Sequence, residues 1–222
     1  MRSRIRKFIR ERFPLVSFYV EATLSARTVR KESREIKGAI SRILSRKSPI
    51  FLELGAGDKK GVGEWVTIDL TKNCDIPWDL TKGLPFPNET ISKIYSSHCF
   101  EHFSFQEAQC ILDECLRVLI PGGMFSICVP NARLYIEAYV NSVDLDEQLY
   151  FAWAPAFNRT TKIDYVNYTA YMDGQHKYMF DEENLLHILK LRGFRNVHLR
   201  EFDSKLDLKG RDFESIYAEA QK

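Results

Sequence analysis

Ile50-Phe51-Leu52-Glu53-Leu54 runs directly into Gly55-Ala56-Gly57. A short apolar run stopping at glycines reads as a buried parallel strand entering a tight turn. Working outward, Trp65-Val66-Thr67-Ile68 ends at Asp69, Asp75–Trp78 ends at Asp79-Leu80, and Ser92–Ser97 leads into His98. Ser104 and Glu107 have the spacing of a capping box. Behind them Ala108, Ile111, Leu112, Cys115, Leu116 and Leu119 fall on one helical face, and Pro121-Gly122-Gly123 closes it. Met124–Val129 is then a fifth strand. A helix over Asp181–Arg192 is closed by Gly193, and Val197–Phe202 with Phe213–Ala218 make a final antiparallel pair. Strands alternating with helices define an α/β fold with a mainly parallel sheet.

The 222 residues fit one core-bearing domain with some length left for an appendage. The appendage shows in the charge. Residues 1–47 hold 14 Lys/Arg against 4 Asp/Glu, and the remainder holds 18 against 26. The expected organisation is therefore a basic helical extension, 1–47, and an α/β domain, 48–222. Ile5, Phe8 and Ile9 share a face of a basic helix over Ser3–Arg12, and a second helical stretch runs from about Leu24 to Leu44. Such a start suits an anionic membrane surface, or packing on the α/β domain or on a homodimer partner. The acidic remainder argues against nucleic acid. Five cysteines with no CxxC pair point to reduced, mostly buried thiols in a cytoplasmic protein. No apolar run near the N-terminus suits a membrane span or a signal peptide. Cytoplasmic location is expected, peripheral to the inner face of the membrane if the basic start binds lipid.

In open α/β sheets ligands sit beyond the carboxyl ends of the strands. Gly55-Ala56-Gly57, Asp69, Asp79 and Ser96-Ser97 all lie there. The glycine turn admits close approach of a ligand. Asp69 can accept both hydroxyls of a ribose, and Asp79 an adenine amino group, with Leu70 and Leu80 against the ring. Together these describe an adenosine site. The dinucleotide fingerprint GxGxxG fails at Lys60, and only seven residues, Asp58–Glu64, precede the second strand. That is too short for the helix whose N-terminus holds a pyrophosphate. No Walker lysine follows the turn. S-adenosylmethionine (SAM), which carries no phosphate, is favoured over NAD and ATP.

Glu53-Leu54-Gly55-Ala56-Gly57, Ile68-Asp69-Leu70, Trp78–Phe86, Ser96–Phe103 and Leu116–Gly123 resemble the ordered motifs of class I SAM-dependent methyltransferases, most closely the small ones associated with surface-polysaccharide synthesis. The resemblance covers about residues 49–130 and, more loosely, 176–220. It implies a Rossmann-like sheet, with Gly55 and Gly57 facing the methionine part of SAM. Glu53 would orient the amino group, Asp69 would bind the ribose and Asp79 the adenine, and Ser96 and Ser97 would line the floor. Lys59 stands where the family often has a third glycine.

His98, Glu101 and His102 share one face at helical spacing, and HxxEH matches one zinc-peptidase pattern. No third ligand is evident downstream, so no metal site is assigned. In the family Glu-His here braces the SAM pocket, and His98 and His102 remain catalytic candidates. Eleven aromatics between Tyr135 and Phe180 mark that insertion as a lid over the methyl acceptor. Its His176 is the first candidate for a general base. The expected acceptor is a hydroxyl of a sugar or glycan precursor. A quinone, lipid or other small molecule is the alternative, and a non-catalytic SAM-fold scaffold at a membrane assembly is the reading from another class.

Overall fold

The computed structural model describes residue 31 and residues 33–222. The chain divides into two units after Ser45. In the first, residues 33–44 are helical. The basic helix expected over Ser3–Arg12 lies outside the described residues.

The second unit is built on a seven-stranded sheet of order β3-β2-β1-β4-β5-β7-β6. Its strands are β1 (Phe51–Leu54), β2 (Trp65–Asp69), β3 (Ile76–Pro77), β4 (Ile91–Ser97), β5 (Leu119–Pro130), β6 (Arg195–Leu199) and β7 (Ser215–Gln221). The first five are parallel, with Leu54 level with Ile68 on one side and with Ser96 on the other. β7 runs antiparallel to both β5 and β6. This is the Rossmann-like sheet with a C-terminal antiparallel pair that the sequence indicates. The chain leaves β1 for β2 on one side and returns to β4 on the other, so the switch point lies beside the Gly55–Gly57 turn. Leu52, Leu54, Ile68, Ile94 and Phe125 are fully buried, as strands covered on both faces require. β6 is the exposed edge and carries Arg195 and His198, which discourage further pairing.

Helix α1 (Phe105–Val118) starts on the expected capping box, Ser104 with Glu107. Its buried stripe is Ala108, Ile111, Leu112, Cys115 and Val118. Leu119, expected on that stripe, is instead the first residue of β5. The helix ends early because its last carbonyls have other partners: Arg117 and Val118 accept from the amides of Glu89 and Thr90 at 3.1 and 2.8 Å. Pro121-Gly122-Gly123 therefore forms a bulged entry to β5 rather than a helix stop. The C-terminal strands are displaced from expectation, to 195–199 and 215–221.

The insertion after β5 consists of α2 (Ala132–Val140), α3 (Glu147–Tyr150), α4 (Ile163–Tyr171) and short 3-10 turns. It has a core of its own, formed by Tyr135, Ala138, Phe151, Phe157, Tyr165 and Tyr168. Phe151 stacks on Phe157 at 3.9 Å and meets Tyr168 edge-on at 5.0 Å. The ring hydroxyls are absorbed too. Tyr168 Oη accepts from the Trp153 amide, and Tyr135 Oη donates to Glu214 Oε2 at 2.7 Å. Most of the aromatic excess is thus packing, while Trp153 and Tyr171 remain exposed. Helix α5 (Glu182–Leu191), capped by Asp181, follows the insertion.

Candidate active site

Three backbone amides of the glycine turn are occupied. Those of Gly55 and Ala56 donate to the Ile68 carbonyl at 2.9 and 3.3 Å, and that of Gly57 donates to Asp69 Oδ2 at 2.9 Å. No helix follows at 58–64. The turn thus offers neither the amide cradle nor the helix dipole that a pyrophosphate uses.

Its two glycines differ. Both have positive φ, 70° and 66°. A Cβ on Gly55 would overlap the Cys99 side chain, whereas one on Gly57 would meet nothing within 4 Å. Close packing at Gly55 is therefore against protein, and the open side is at Gly57. Gly55→Ala is expected to lower the melting temperature clearly more than Gly57→Ala, because both add backbone strain but only the first adds a clash. Equal losses in thermal melts of the two variants would refute that assignment.

Asp69 ends β2 half-buried, with Oδ1 accepting from the Thr71 amide at 3.0 Å. Glu53 pairs with Lys59 Nζ at 2.5 Å. Asp79 caps a 3-10 turn, Leu80–Lys82, by accepting from both the amide and the hydroxyl of Thr81. Those bonds, the Thr81 hydroxyl first, hold its carboxyl below the usual carboxylate range. Leu70 is exposed and Leu80 is buried. Ser96 is fully buried and donates to the Leu54 carbonyl, while Ser97 is half-buried at the end of β4. The loop after Asp79 is held from behind: Glu114 accepts from the Leu84 amide, and Arg117 donates to the carbonyls of Leu84 and Phe86. The Gly-Leu-Pro-Phe part of the motif is thus a shape held by helix α1.

A cavity of about 410 Å³ opens beyond the carboxyl ends of β4 and β5, under the insertion. His98, Glu101, His102 and His176 line it together with Trp153, Gln175, Arg211 and Glu214. His98 sits just past β4 with φ +47°, a strained conformation of the kind found at functional sites. Its Nε2 meets Ser215 Oγ at 2.8 Å, and that hydroxyl donates to the Arg211 carbonyl. His98 Nε2 is therefore the protonated nitrogen. Burial, with Arg211 adding, holds its pKa down to about 3, so the ring is neutral and already engaged. Glu101, 3% exposed, has its pKa pushed up to about 8 by burial, and its Oε2 has no hydrogen-bond partner.

His176 arrives from the far end of the insertion. The amides of Lys177 and Tyr178 donate to the Glu101 carbonyl at 2.8 and 3.3 Å, which fixes the returning end of the insertion beside the 3-10 turn Phe100–His102. His176 Nδ1 bonds the Thr169 carbonyl at 2.8 Å, and His102 Nδ1 bonds the Gln175 carbonyl at 3.0 Å. In both rings Nδ1 is therefore the donor and Nε2 keeps the lone pair. Burial lowers the pKa of His176. The structure thus gathers the three candidate histidines in one cavity and places the glycine turn, Asp69 and Asp79 at the same carboxyl edge of the sheet. Glu214 and Arg211 escaped the sequence reading, since no spacing links them to the other groups.

Residues 62–127, 66 of the 222, match a family model described as a methyltransferase domain. The span includes Asp69, Asp79, Ser96-Ser97 and the His98–His102 cluster. This match supports a SAM-dependent methyltransferase with SAM as its cofactor. No curated protein matches the chain. Among solved structures, a SAM-dependent methyltransferase from Archaeoglobus fulgidus is similar at 15% identity, over 90% of this chain and 94% of that one, with a TM-score of 0.49. Another from Mesorhizobium loti has 16% identity over 83% and 96%, also at 0.49. A Haemonchus contortus phosphoethanolamine N-methyltransferase 2 in complex with SAM has 13% identity over 83% and 51%, again at 0.49.

Proposed function

We propose that this protein transfers the methyl group of SAM to a hydroxyl of a sugar or glycan precursor held in the cavity under the insertion. The observation that supports this most is the lining of that cavity. The Trp153 ring lies there among Gln148, Gln175, Arg211 and Glu214, the mixture of apolar face and polar rim that sugars require. On the cofactor side, Asp69 binds the ribose hydroxyls and Asp79 the adenine amino group, with exposed Leu70 over the ring. The Glu53–Lys59 pair suits the amino-acid end of SAM, the carboxylate of Glu53 for its ammonium and the ammonium of Lys59 for its carboxylate. Gly57 leaves the room that this end needs.

In the reaction the acceptor oxygen forms a bond to the methyl carbon as the carbon–sulfur bond breaks, leaving neutral S-adenosylhomocysteine. The hydroxyl proton passes to the lone pair of His176 Nε2, with His102 as the neighbouring ring, 5.1 Å away between centroids. His98 has its Nε2 proton committed to Ser215 and takes no part in the transfer of the proton. The basic residues 1–47 suit an anionic lipid surface carrying such precursors.

The test is methyl transfer from labelled SAM to a panel of nucleotide- and lipid-linked sugars, with quinones and phenols alongside. Label in a sugar is the expected result, and label only in a quinone or phenol would replace the acceptor assignment. His176→Ala should reduce kcat by about 10²–10⁴-fold, the usual worth of a general base, with SAM affinity unchanged. Unchanged turnover would remove His176 from the mechanism.

A further inference from the structure

The HxxEH cluster has its missing member in space. Glu101, His102 and His176 each bring one ligand atom to within 4.8 Å of the others. We propose that these three side chains form a binding site for one divalent transition-metal ion of the zinc, cobalt or nickel class. A His₂-carboxylate set with a further open position is an arrangement these ions accept, at roughly 2.0–2.2 Å from each ligand.

Two independent features support the site. The first is Glu101 itself. Its Oε2 is buried without a hydrogen-bond partner in a residue 3% exposed, a situation that native structures avoid unless something else satisfies the atom. The second is the outer shell. Both imidazoles already donate Nδ1–H to a backbone carbonyl, Gln175 for His102 and Thr169 for His176. That is the second-shell bond which metal-binding histidines usually make, and it orients Nε2 as the ligand. Arg211 lines the same cavity and opposes a cation, and the carboxylate of Glu214 on the same wall offsets it. His98 is not among the residues whose ligand atoms converge.

The site stands whatever the acceptor proves to be. If the acceptor is a hydroxyl, its oxygen can take the open position. A bound ion would supply Lewis-acid chemistry at that oxygen, and His176 would then be a ligand, so that the proton would leave to solvent and not to His176.

The experiment uses the full chain, stripped with a chelator and titrated with Co²⁺ by visible spectroscopy and with Zn²⁺ by calorimetry. One ion per chain is expected. Glu101→Gln, His102→Ala and His176→Ala should each weaken it by more than the roughly 10–100-fold that outer-shell changes cost. The exposed His187→Ala should leave it unchanged. Circular dichroism melts guard against loss of fold, and His102→Cys should retain the ion and add a thiolate–cobalt charge-transfer band. A folded wild-type protein that takes up no metal, or an uptake indifferent to all three substitutions, would overturn the site. SAM binding is measured separately, so failure of the methyltransferase reading appears there and leaves the metal result intact.

Discussion

Asp69→Ala is expected to weaken binding of SAM and of S-adenosylhomocysteine by about a hundredfold or more. A carboxylate accepting from two ribose hydroxyls makes charge-assisted hydrogen bonds, each worth about 1.5–3 kcal/mol. The same carboxylate also organises the turn that it faces. Its two oxygens accept from the amides of Gly57 and Thr71, at 2.9 and 3.0 Å, and the Thr71 hydroxyl reaches back to the Gly57 carbonyl. Removing it frees both amides and loosens the one open glycine of the site. Calorimetric titration of wild type and variant with both ligands measures the effect. Asp69→Asn keeps the volume and one acceptor, and should fall between the two. An alanine variant that binds within about threefold of wild type, less than 0.7 kcal/mol, would remove Asp69 from the ribose site.

The parts of this molecule written locally were legible in its sequence. The Ile50–Gly57 run, the acids after β2 and β3, and the capping box at Ser104 each depend on residues a few positions apart, so period and turn chemistry suffice. Leu119 was misplaced because helical periodicity continues through it, while the bonds that stop the helix come from Glu89 and Thr90, thirty residues upstream. The aromatic excess marks the insertion after β5 in the sequence, but not its interior. Which rings bury is decided by α2 meeting α4, so Tyr135 and Tyr168 are buried in that core even where they line the cavity, whereas Trp153 stays half-exposed on its wall. In the sequence only its place in the insertion marks His176. Its neighbours, Glu101 and His102, follow from two amide bonds to the Glu101 carbonyl that no spacing encodes. The bonds that gather on Asp207 from Arg200, Tyr95 and the Asp203 amide are hidden in the sequence for the same reason. The groups involved come from β4, β5, β7 and the loop after β6.

Those bonds carry the largest stability effect. Asp207 has a side chain 1% exposed and takes a two-pronged bond from Arg200, at 2.6 and 2.7 Å. Tyr95 Oη on β4 donates to it at 2.9 Å, as does the Asp203 amide at 2.7 Å, and Arg200 Nε donates to Ser126 Oγ on β5. The guanidinium also lies 4.9 Å over the Tyr217 ring of β7. One ion pair thus fastens the loop 200–207 across three adjacent strands. Asp207→Ala leaves Arg200 charged, half-enclosed and without its partner, and the Tyr95 hydroxyl buried with no acceptor. A loss of about 3–5 kcal/mol is expected, as for other buried pairs broken on one side. Burial alone would raise the carboxyl pKa of Asp207, but the bonds from Arg200 and the Asp203 amide outweigh it and hold it below the usual range. A depressed folded pKa stabilises above the unfolded value, near 3.9, and that contribution fades as pH falls through the lower folded value. Urea melts should therefore show the full difference between wild type and variant at pH 7 and a shrinking one below about pH 4. A variant as stable as wild type at pH 7, or a gap that widens in acid, would show that the loop is held by packing and not by the pair.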